Sequence, residues 1–446
     1  MKSSRTKGAA AGEPIYLASQ LASICDVDLK TIHNWCDRND DPEAPAELES
    51  FRTTGGHLRF KHSAVLRFLT RWGYPLPDAL LQDRPHVLMI EGDPATRASI
   101  VSMLRLVRPG EDVTKPTPRA TDAAASTLGL WASTHYYLHL WDDACTALVA
   151  LGERTGAGAP PDVVVLSVDP PGIDVTAWIK AARAGKGDDA PRVVLLASGA
   201  APTKLSDDVA RVVPRAKLEE LVWILDQEAR ALQSRLAERH SAARKAMPRR
   251  RVPMAPREPI FVASQVATIW GVDLKTVHNW VERGDMEAFR TPGRHLRFRR
   301  RSLLSFLRRY NMEIPRDLAP QAPRVMIVDR DAARVAKLRA LLGARFEVLS
   351  QPDGIVALAE IGMHSSGAAL IDAVVVALPV EGADAEVWVS ALLRHPDTRY
   401  ALLLTLGGDA EQHRRLQALG VTATVAGGAI EQVPPVLEQA LGLVQR

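Results

Sequence analysis

The sequence predicts a multidomain chain in which two small α+β modules alternate with two doubly wound α/β domains. Three observations predict it. Residues Glu13–Trp35 (EPIYLASQLASICDVDLKTIHNW) return as Glu258–Trp280 (EPIFVASQVATIWGVDLKTVHNW). Phe51–Phe60 (FRTTGGHLRF) returns as Phe289–Phe298 (FRTPGRHLRF). After each copy, short apolar runs alternate with amphipathic stretches, the pattern of strands buried on both faces of a parallel sheet. A repeat this long is no accident of composition, and its period is far too long for a solenoid.

The module elements follow in order. In the first copy Leu17, Leu21 and Ile24 recur at helical spacing, with Ala18 and Ala22 beside them. Asp26-Val27-Asp28 breaks that helix, and Asp28 suits the N-cap of a second, Lys30–Arg38. Ile32 and Trp35 face inward, which leaves Lys30, Thr31, His33 and Asn34 on the solvent side near the helix start. Thr54-Gly55-Gly56 reads as a tight turn between strands Ser50–Thr53 and His57–Phe60. A last helix, Ser63–Trp72, closes the core with Val65, Leu66, Phe68 and Leu69. The second copy offers Lys275, Thr276, His278 and Asn279, the turn Pro292-Gly293-Arg294, and the helix Ser302–Tyr310.

The run VDLKTVHNW followed by RTPGRHLRF resembles the MerR-like, excisionase-type winged helix-turn-helix fold, and BldC-like proteins in particular. The resemblance implies that the second helix enters the major groove of double-stranded DNA and that the hairpin is a wing on phosphates or the minor groove. The chemistry agrees. Short polar and cationic side chains near a helix N-terminus reach base edges, and arginines along a wing hold the backbone. The expected DNA-binding residues are Lys275, Thr276, His278, Asn279, Arg290, Arg294, His295, Arg297, Arg299 and Arg300. Their first-copy counterparts are Lys30, Thr31, His33, Asn34, Arg52, His57 and Arg59. The alternative is a fold retained for protein contacts alone.

The copies differ in charge. Glu13–Leu81 holds seven Lys/Arg against ten Asp/Glu, net −3, and Glu258–Pro320 holds eleven against seven, net +4. The first copy also carries an insertion with Asp40, Asp41, Glu43, Glu47 and Glu49 between helix and wing. The second adds Arg294, Arg299, Arg300 and Arg301. Because phosphate neutralisation supplies most non-specific affinity, the second copy is expected to bind DNA more tightly.

Each module precedes strand runs that end in acids: Pro85–Asp93 (PHVLMIEGD) and Pro323–Asp331 (PRVMIVDRD). Asp162–Val168 and Arg192–Ser198 follow in one domain, Asp372–Leu378 and Tyr400–Leu406 in the other. The pattern resembles the flavodoxin-like receiver domain of response regulators, the CheY-like fold. It departs from that family where its chemistry lies. Alignment on Pro171-Gly172 and on Glu381-Gly382 puts Ser167 and Ala377 where the phospho-acceptor aspartate belongs. The Lys-Pro after the fifth strand is missing, with Pro214-Arg215 in one domain and a Gly427-Gly428 run in the other. Glu91, Asp93, Asp329 and Asp331 then read as vestigial acids without a metal, and Asp169 is a poor acceptor. Phosphoryl transfer needs strict placement of metal and acceptor. The expectation is two pseudo-receivers that pack or dock.

The remaining boundaries come from composition. Residues 1–12 read as a disordered tail, 13–81 and 258–320 as the winged modules, 84–229 and 322–446 as the receivers. An insertion at about 109–134 reads as a loop with a short helix near Ala123–Ala132. Arg230–Arg257 is a basic linker of nine Lys/Arg and one acid; its Arg249, Arg250 and Arg251 are expected on phosphate. Lys217–Ala246 reads as one long helix with a Leu218, Leu225 and Leu232 stripe; its first half reads as the last receiver helix packing on its own sheet, and its extension past Arg230 suits either a homodimer seam or a stiff spacer. Cys25, Cys36 and Cys145 lack metal-ligand spacing, and no Cys/His cluster surrounds His57 or His295. No cofactor, no membrane span and no catalytic constellation are expected, and the location is the cytoplasm, on the nucleoid. The expected function is a sequence-specific DNA-binding transcriptional regulator with protein partners on its pseudo-receivers. An architectural, nucleoid-organising protein and a phosphorelay response regulator are the alternatives.

Overall fold

The first module opens on β1 (Ile15–Leu17), continues through α1 (Ala18–Cys25), α2 (Leu29–Asp37), β2 (Phe51–Arg52) and β3 (Leu58–Lys61), and ends in α3 (His62–Arg71). This is a computed structural model, and it describes residues 14–25, 27–37, 48–72, 74, 76, 80–81, 84–111, 128–156, 159–167, 172–184, 190–197, 209–246, 259–291, 295–310, 312–315, 318, 322–365 and 370–443. The expected insertion helix near Ala123, the tail 1–12, Asp40, Asp41, Glu43, Glu47, Asp169, Arg249, Arg250, Arg251 and Arg294 lie outside those residues.

The module's three strands order as β1-β3-β2. The first strand was not legible in the sequence: three residues give no period, and Ile15 and Leu17 face outward, exposed. Leu58 and Phe60 alternate inward against Leu21, Ile32, Trp35 and Leu69. The helix predicted from Ser63 begins one residue earlier, at His62.

The first receiver-like domain comprises β4 (His86–Ile90), α4 (Pro94–Met103), β5 (Gly129–Ala132), β6 (Tyr137–Trp141), α5 (Ala144–Gly156), β7 (Val163–Ser167), α6 (Val175–Arg183), β8 (Arg192–Ala197), β9 (Val209–Pro214) and α7 (Leu218–Ala246). Its sheet runs β5-β6-β4-β7-β8-β9, with β5 antiparallel at the edge and the others parallel. The end of the insertion is thus a strand, not the helix expected through Ala132. Leu130 and Trp131 alternate across it, and Arg108 stacks over Trp131 at 3.9 Å. The first module's core continues into this edge through Leu81, Val107, Ala132 and Tyr137.

The second module repeats the first with β10 (Ile260–Val262), α8 (Ala263–Trp270), α9 (Leu274–Glu282), β11 (Phe289–Arg290), β12 (Leu296–Arg299) and α10 (Arg300–Arg309), its sheet ordered β10-β12-β11. The second receiver-like domain has β13 (Arg324–Val328), α11 (Ala332–Leu342), β14 (Glu347–Gln351), α12 (Gly354–Met363), β15 (Ala373–Ala377), α13 (Ala385–Arg394), β16 (Leu402–Leu406), α14 (Ala410–Leu419), β17 (Ala423–Val425) and α15 (Val433–Leu441). Its parallel order β14-β13-β15-β16-β17 is the 2-1-3-4-5 winding of flavodoxin-like domains. β15 and β16 are buried at every residue, as strands covered on both faces must be.

The two receiver-like domains share one hydrophobic core through α5, α6, α12 and α13. Several seam contacts recur after a shift of 210 residues. Trp178 Nε1 donates to the Ala144 carbonyl and Trp388 Nε1 to the Gly354 carbonyl, both at 2.7 Å. The Asp174 amide donates to Gly382 and the Asp384 amide to Gly172. A Cβ on Gly152 would overlap the Ala359 carbonyl, and a Cβ on Gly362 would overlap the Val149 carbonyl. Residue i meets j and j meets i, the pattern of an isologous dimer enclosed in one chain.

Candidate nucleic-acid interface

Asp28 and Asp273 start the two candidate recognition helices. Asp28 Oδ1 accepts from the Thr31 amide at 2.6 Å and Asp273 Oδ1 from the Thr276 amide at 2.7 Å. These bonds hold both carboxyls below the ordinary aspartate range. The capping contribution is therefore complete above that range and is lost as pH falls through the depressed folded values. Ile32, Trp35 and Val277 are buried, and Trp280 packs on Trp270 and Phe306. Fixing that apolar stripe leaves Lys30, His33 and Asn34 exposed on α2. Lys275 and Asn279 are exposed on α9, with Thr276 and His278 half-buried beside them. The i, i+3, i+4 spacing puts each set on one helix face.

The wings are less uniform. Arg52 pairs across from Leu58 and Arg59 from Phe51; Arg290 pairs across from Leu296 and Arg297 from Phe289. Directly opposed residues share a face and successive residues alternate, so the two arginines of each wing leave opposite faces. His57 and His295 are exposed at the turns. Phe289 stacks edge-on against Tyr74 of the first module at 5.7 Å, with Arg297 close to the same tyrosine. The equivalent Phe51 is exposed.

Arg299 and Arg300 do not stand in solvent as expected. Arg299 pairs with Asp397 at 3.7 Å, and Arg300 Nε donates to the Leu318 carbonyl. Arg301 also pairs with Asp397 and donates to its carbonyl at 3.2 Å, and Arg308 donates to the Tyr400 carbonyl at 3.0 Å. The side chains continue the second module's basic run into its junction with the receiver-like domain. Nothing local marks Asp397 as their partner, since it lies almost a hundred residues away along the chain. In the first module Glu49 pairs with Arg67, so one acid of the insertion is neutralised internally.

That junction also contains Glu153, His395 and Asp397, with donor atoms close enough to hold a metal ion. Its geometry suits an ion-pair cluster better. Arg301 claims the Asp397 carboxylate. Burial pushes the His395 imidazole down to about 4, so it is neutral at pH 7. Its Nδ1 accepts the Asp397 amide at 3.3 Å, which leaves the ring proton on Nε2, facing Glu153.

The receiver-like pockets hold internal ion pairs at the ends of their strands. Glu91 is fully buried, and Arg215 binds both its oxygens at 2.7 and 3.1 Å. The same guanidinium donates to Ser167 Oγ at 2.9 Å, and Ser167 Oγ donates to Glu91 at 3.2 Å. A cation of the chain thus sits between the acid and the acceptor position. In the second domain Arg334 binds Asp329, at 2.7 Å from Nη2 to Oδ1. Asp93 and Asp331 cap α4 and α11. Incubating the protein with acetyl phosphate and Mg²⁺ is expected to leave its intact mass unchanged. A base-labile adduct of one phosphate would overturn the reading of these pockets as inert to phosphoryl transfer.

Comparison with known proteins agrees with the coarse picture. Residues 263–311, from α8 to just past α10, match the helix-turn-helix domain family. The chain therefore contains a helix-turn-helix domain. No curated protein matches the sequence. Solved structures similar to it include a protein described as a response regulator from Chloroflexus aurantiacus J-10-fl, 24% identical, spanning 26% of this chain and 98% of its own, TM-score 0.23. The phosphorylated cyanobacterial phytochrome response regulator RcpA is 15% identical over 28% of this chain and 97% of its own, TM-score 0.25. The chemotaxis response regulator CheY4 of Vibrio cholerae is 17% identical over 26% and 98%, TM-score 0.23. The receiver-like assignment rests on the strand order described above rather than on these scores. Among the described residues, no helix is long and apolar enough to cross a membrane.

Proposed function

We propose that this chain is a sequence-specific DNA-binding transcriptional regulator, built from two tandem MerR-like winged helices of the BldC-like kind on a scaffold of two pseudo-receivers. The observation that carries the proposal is the helix-turn-helix match over 263–311, with Lys275 and Asn279 exposed on its second helix. In this reading α9 enters the major groove and Lys275, Thr276, His278 and Asn279 read base edges. Arg290, His295 and Arg297 hold backbone, and the first module adds Lys30, Thr31, His33, Asn34, Arg52, His57 and Arg59. The pseudo-receivers use their α5–α6 and α12–α13 faces on each other, so these faces position the two modules and leave any outside partner to other surfaces. The contact of Phe289 with Tyr74 joins unlike parts of the two modules, which favours half-sites in direct repeat over an inverted pair.

Binding of the intact protein to its own genomic DNA fragments tests the proposal. Asn279→Ala is expected to cost about 1–3 kcal/mol of discrimination between target and scrambled sequence. Arg297→Ala is expected to weaken both alike and to reduce the salt slope. Equal affinity of the wild type for target and scrambled DNA would favour an architectural role instead.

A further inference from the structure

We infer that the second receiver-like domain holds a binding site for a small zwitterion of the amino-acid type, in the crevice at the carboxyl ends of β13 and β15. The crevice encloses about 330 Å³ and lies where the strand order reverses, the place at which open α/β sheets bind ligands. Three exchanges between the domains keep it open. Ser167 is matched by Ala377, and the register of the last two strands matches Arg215 with Gly427. The side chains that fill the space beside Glu91 in the first domain are therefore missing beside Asp329. The third exchange keeps Asp329 neutralised: Arg334 stands where the first domain has Thr96, and it approaches from α11 rather than across the crevice. A buried acid with its charge compensated from the side leaves a cavity that can take a guest without stranding a charge.

The lining fits both signs of charge on a small body. The apolar part of the lining, its floor, is formed by Val328, Ala377 and Leu378, beside the buried Asp329. The rim carries Arg330 opposite Glu381 at 3.8 Å, and Arg334 opposite Asp331 at 3.7 Å. The Arg330–Glu381 distance exceeds a hydrogen bond, which leaves that guanidinium open to a guest carboxylate and that acid to a guest ammonium, whereas Arg334 is engaged by Asp329 and Asp331 by the start of α11. A lone anion or a lone cation would meet one complementary and one opposing charge. Gly354 and Val380 form the wall towards the seam: Gly354 receives the Trp388 indole, and the chain just past Glu381 bonds across to Asp174. A guest would thus rest against the structure that joins the two halves.

The assignment stands whether or not the chain reads DNA, and its test reads binding alone. The intact protein is titrated by calorimetry with each of the twenty amino acids, with acetate and methylammonium as single-charge probes, and with MgCl₂. Saturable binding of at least one amino acid is expected, weakened at least tenfold by Arg330→Ala on the rim and by Ala377→Leu in the floor. Arg330 is exposed, so its variant keeps the fold even if the floor variant does not. No amino acid binding, binding of only acetate, methylammonium or Mg²⁺, or amino acid binding unchanged in Arg330→Ala would each overturn the assignment.

Discussion

Gly152→Ala is expected to destabilise this chain, although alanine is the better helix former. In an isolated helix the exchange stabilises by roughly 0.5–1 kcal/mol, because glycine loses more backbone freedom on folding. Here the added methyl would run into the Ala359 carbonyl of α12, and backbone cannot swing aside as a side chain can. Overpacking of this kind costs about 1–3 kcal/mol. Gly362→Ala meets the Val149 carbonyl in the mirrored position and is expected to behave alike. The sign of the change decides the matter. Urea denaturation showing both variants less stable than the wild type supports a tight seam between α5 and α12. Two stabilised variants would mean that the helices do not touch.

Arg215→Ala is expected to have a larger effect. Glu91 is completely buried, and its oxygens accept from Arg215, from Ser167 and from the Asp93 amide, of which Arg215 alone brings a positive charge. Removing one partner of a buried pair leaves an uncompensated charge and costs about 3–5 kcal/mol. Because the Arg215 side chain keeps 31% of its exposure, water entering its place brings the loss to the lower end of that range. Adding Glu91→Gln to the same variant removes the stranded charge and is expected to restore most of the stability. If Arg215→Ala alone leaves the denaturation midpoint unchanged, the guanidinium is not the ion that neutralises this pocket.

Both effects show where the sequence was readable. The winged modules are legible because Leu21 and Ile24 in one helix and Ile32 and Trp35 in the next keep helical spacing, and the pattern returns at Val266 with Ile269 and at Val277 with Trp280, although Leu17, which shares the first spacing, lies in β1. The doubly wound sheets could be placed because runs such as Val163–Leu166 are apolar at every position. The departures at Ser167 and Ala377 were visible, and so was Arg215 as an odd residue after the fifth strand. Its destination was not, since nothing local links it to Glu91, 124 residues away. The seam is illegible in the sequence for a similar reason. Gly152 and Gly362 look like ordinary helix glycines, and only their equal 210-residue spacing with the Trp178 and Trp388 pair could have suggested a shared role. Charge alone points Arg299 and Arg300 towards DNA. Their actual neighbours, Asp397 and the Leu318 carbonyl, come from a tertiary junction that charge counting does not reveal. Short edge strands such as β1 and β5 lack the length for a period.

The most direct measurement is photo-cross-linking of the intact protein to a target fragment from a probe placed at position 279, with a matched probe at the exposed Glu313. The account predicts a cross-link from position 279 to bases at a defined place in the site, the same with or without a phosphodonor, and none from position 313. Cross-links from 313 and not from 279, or cross-links from 279 only after phosphodonor treatment, would contradict it.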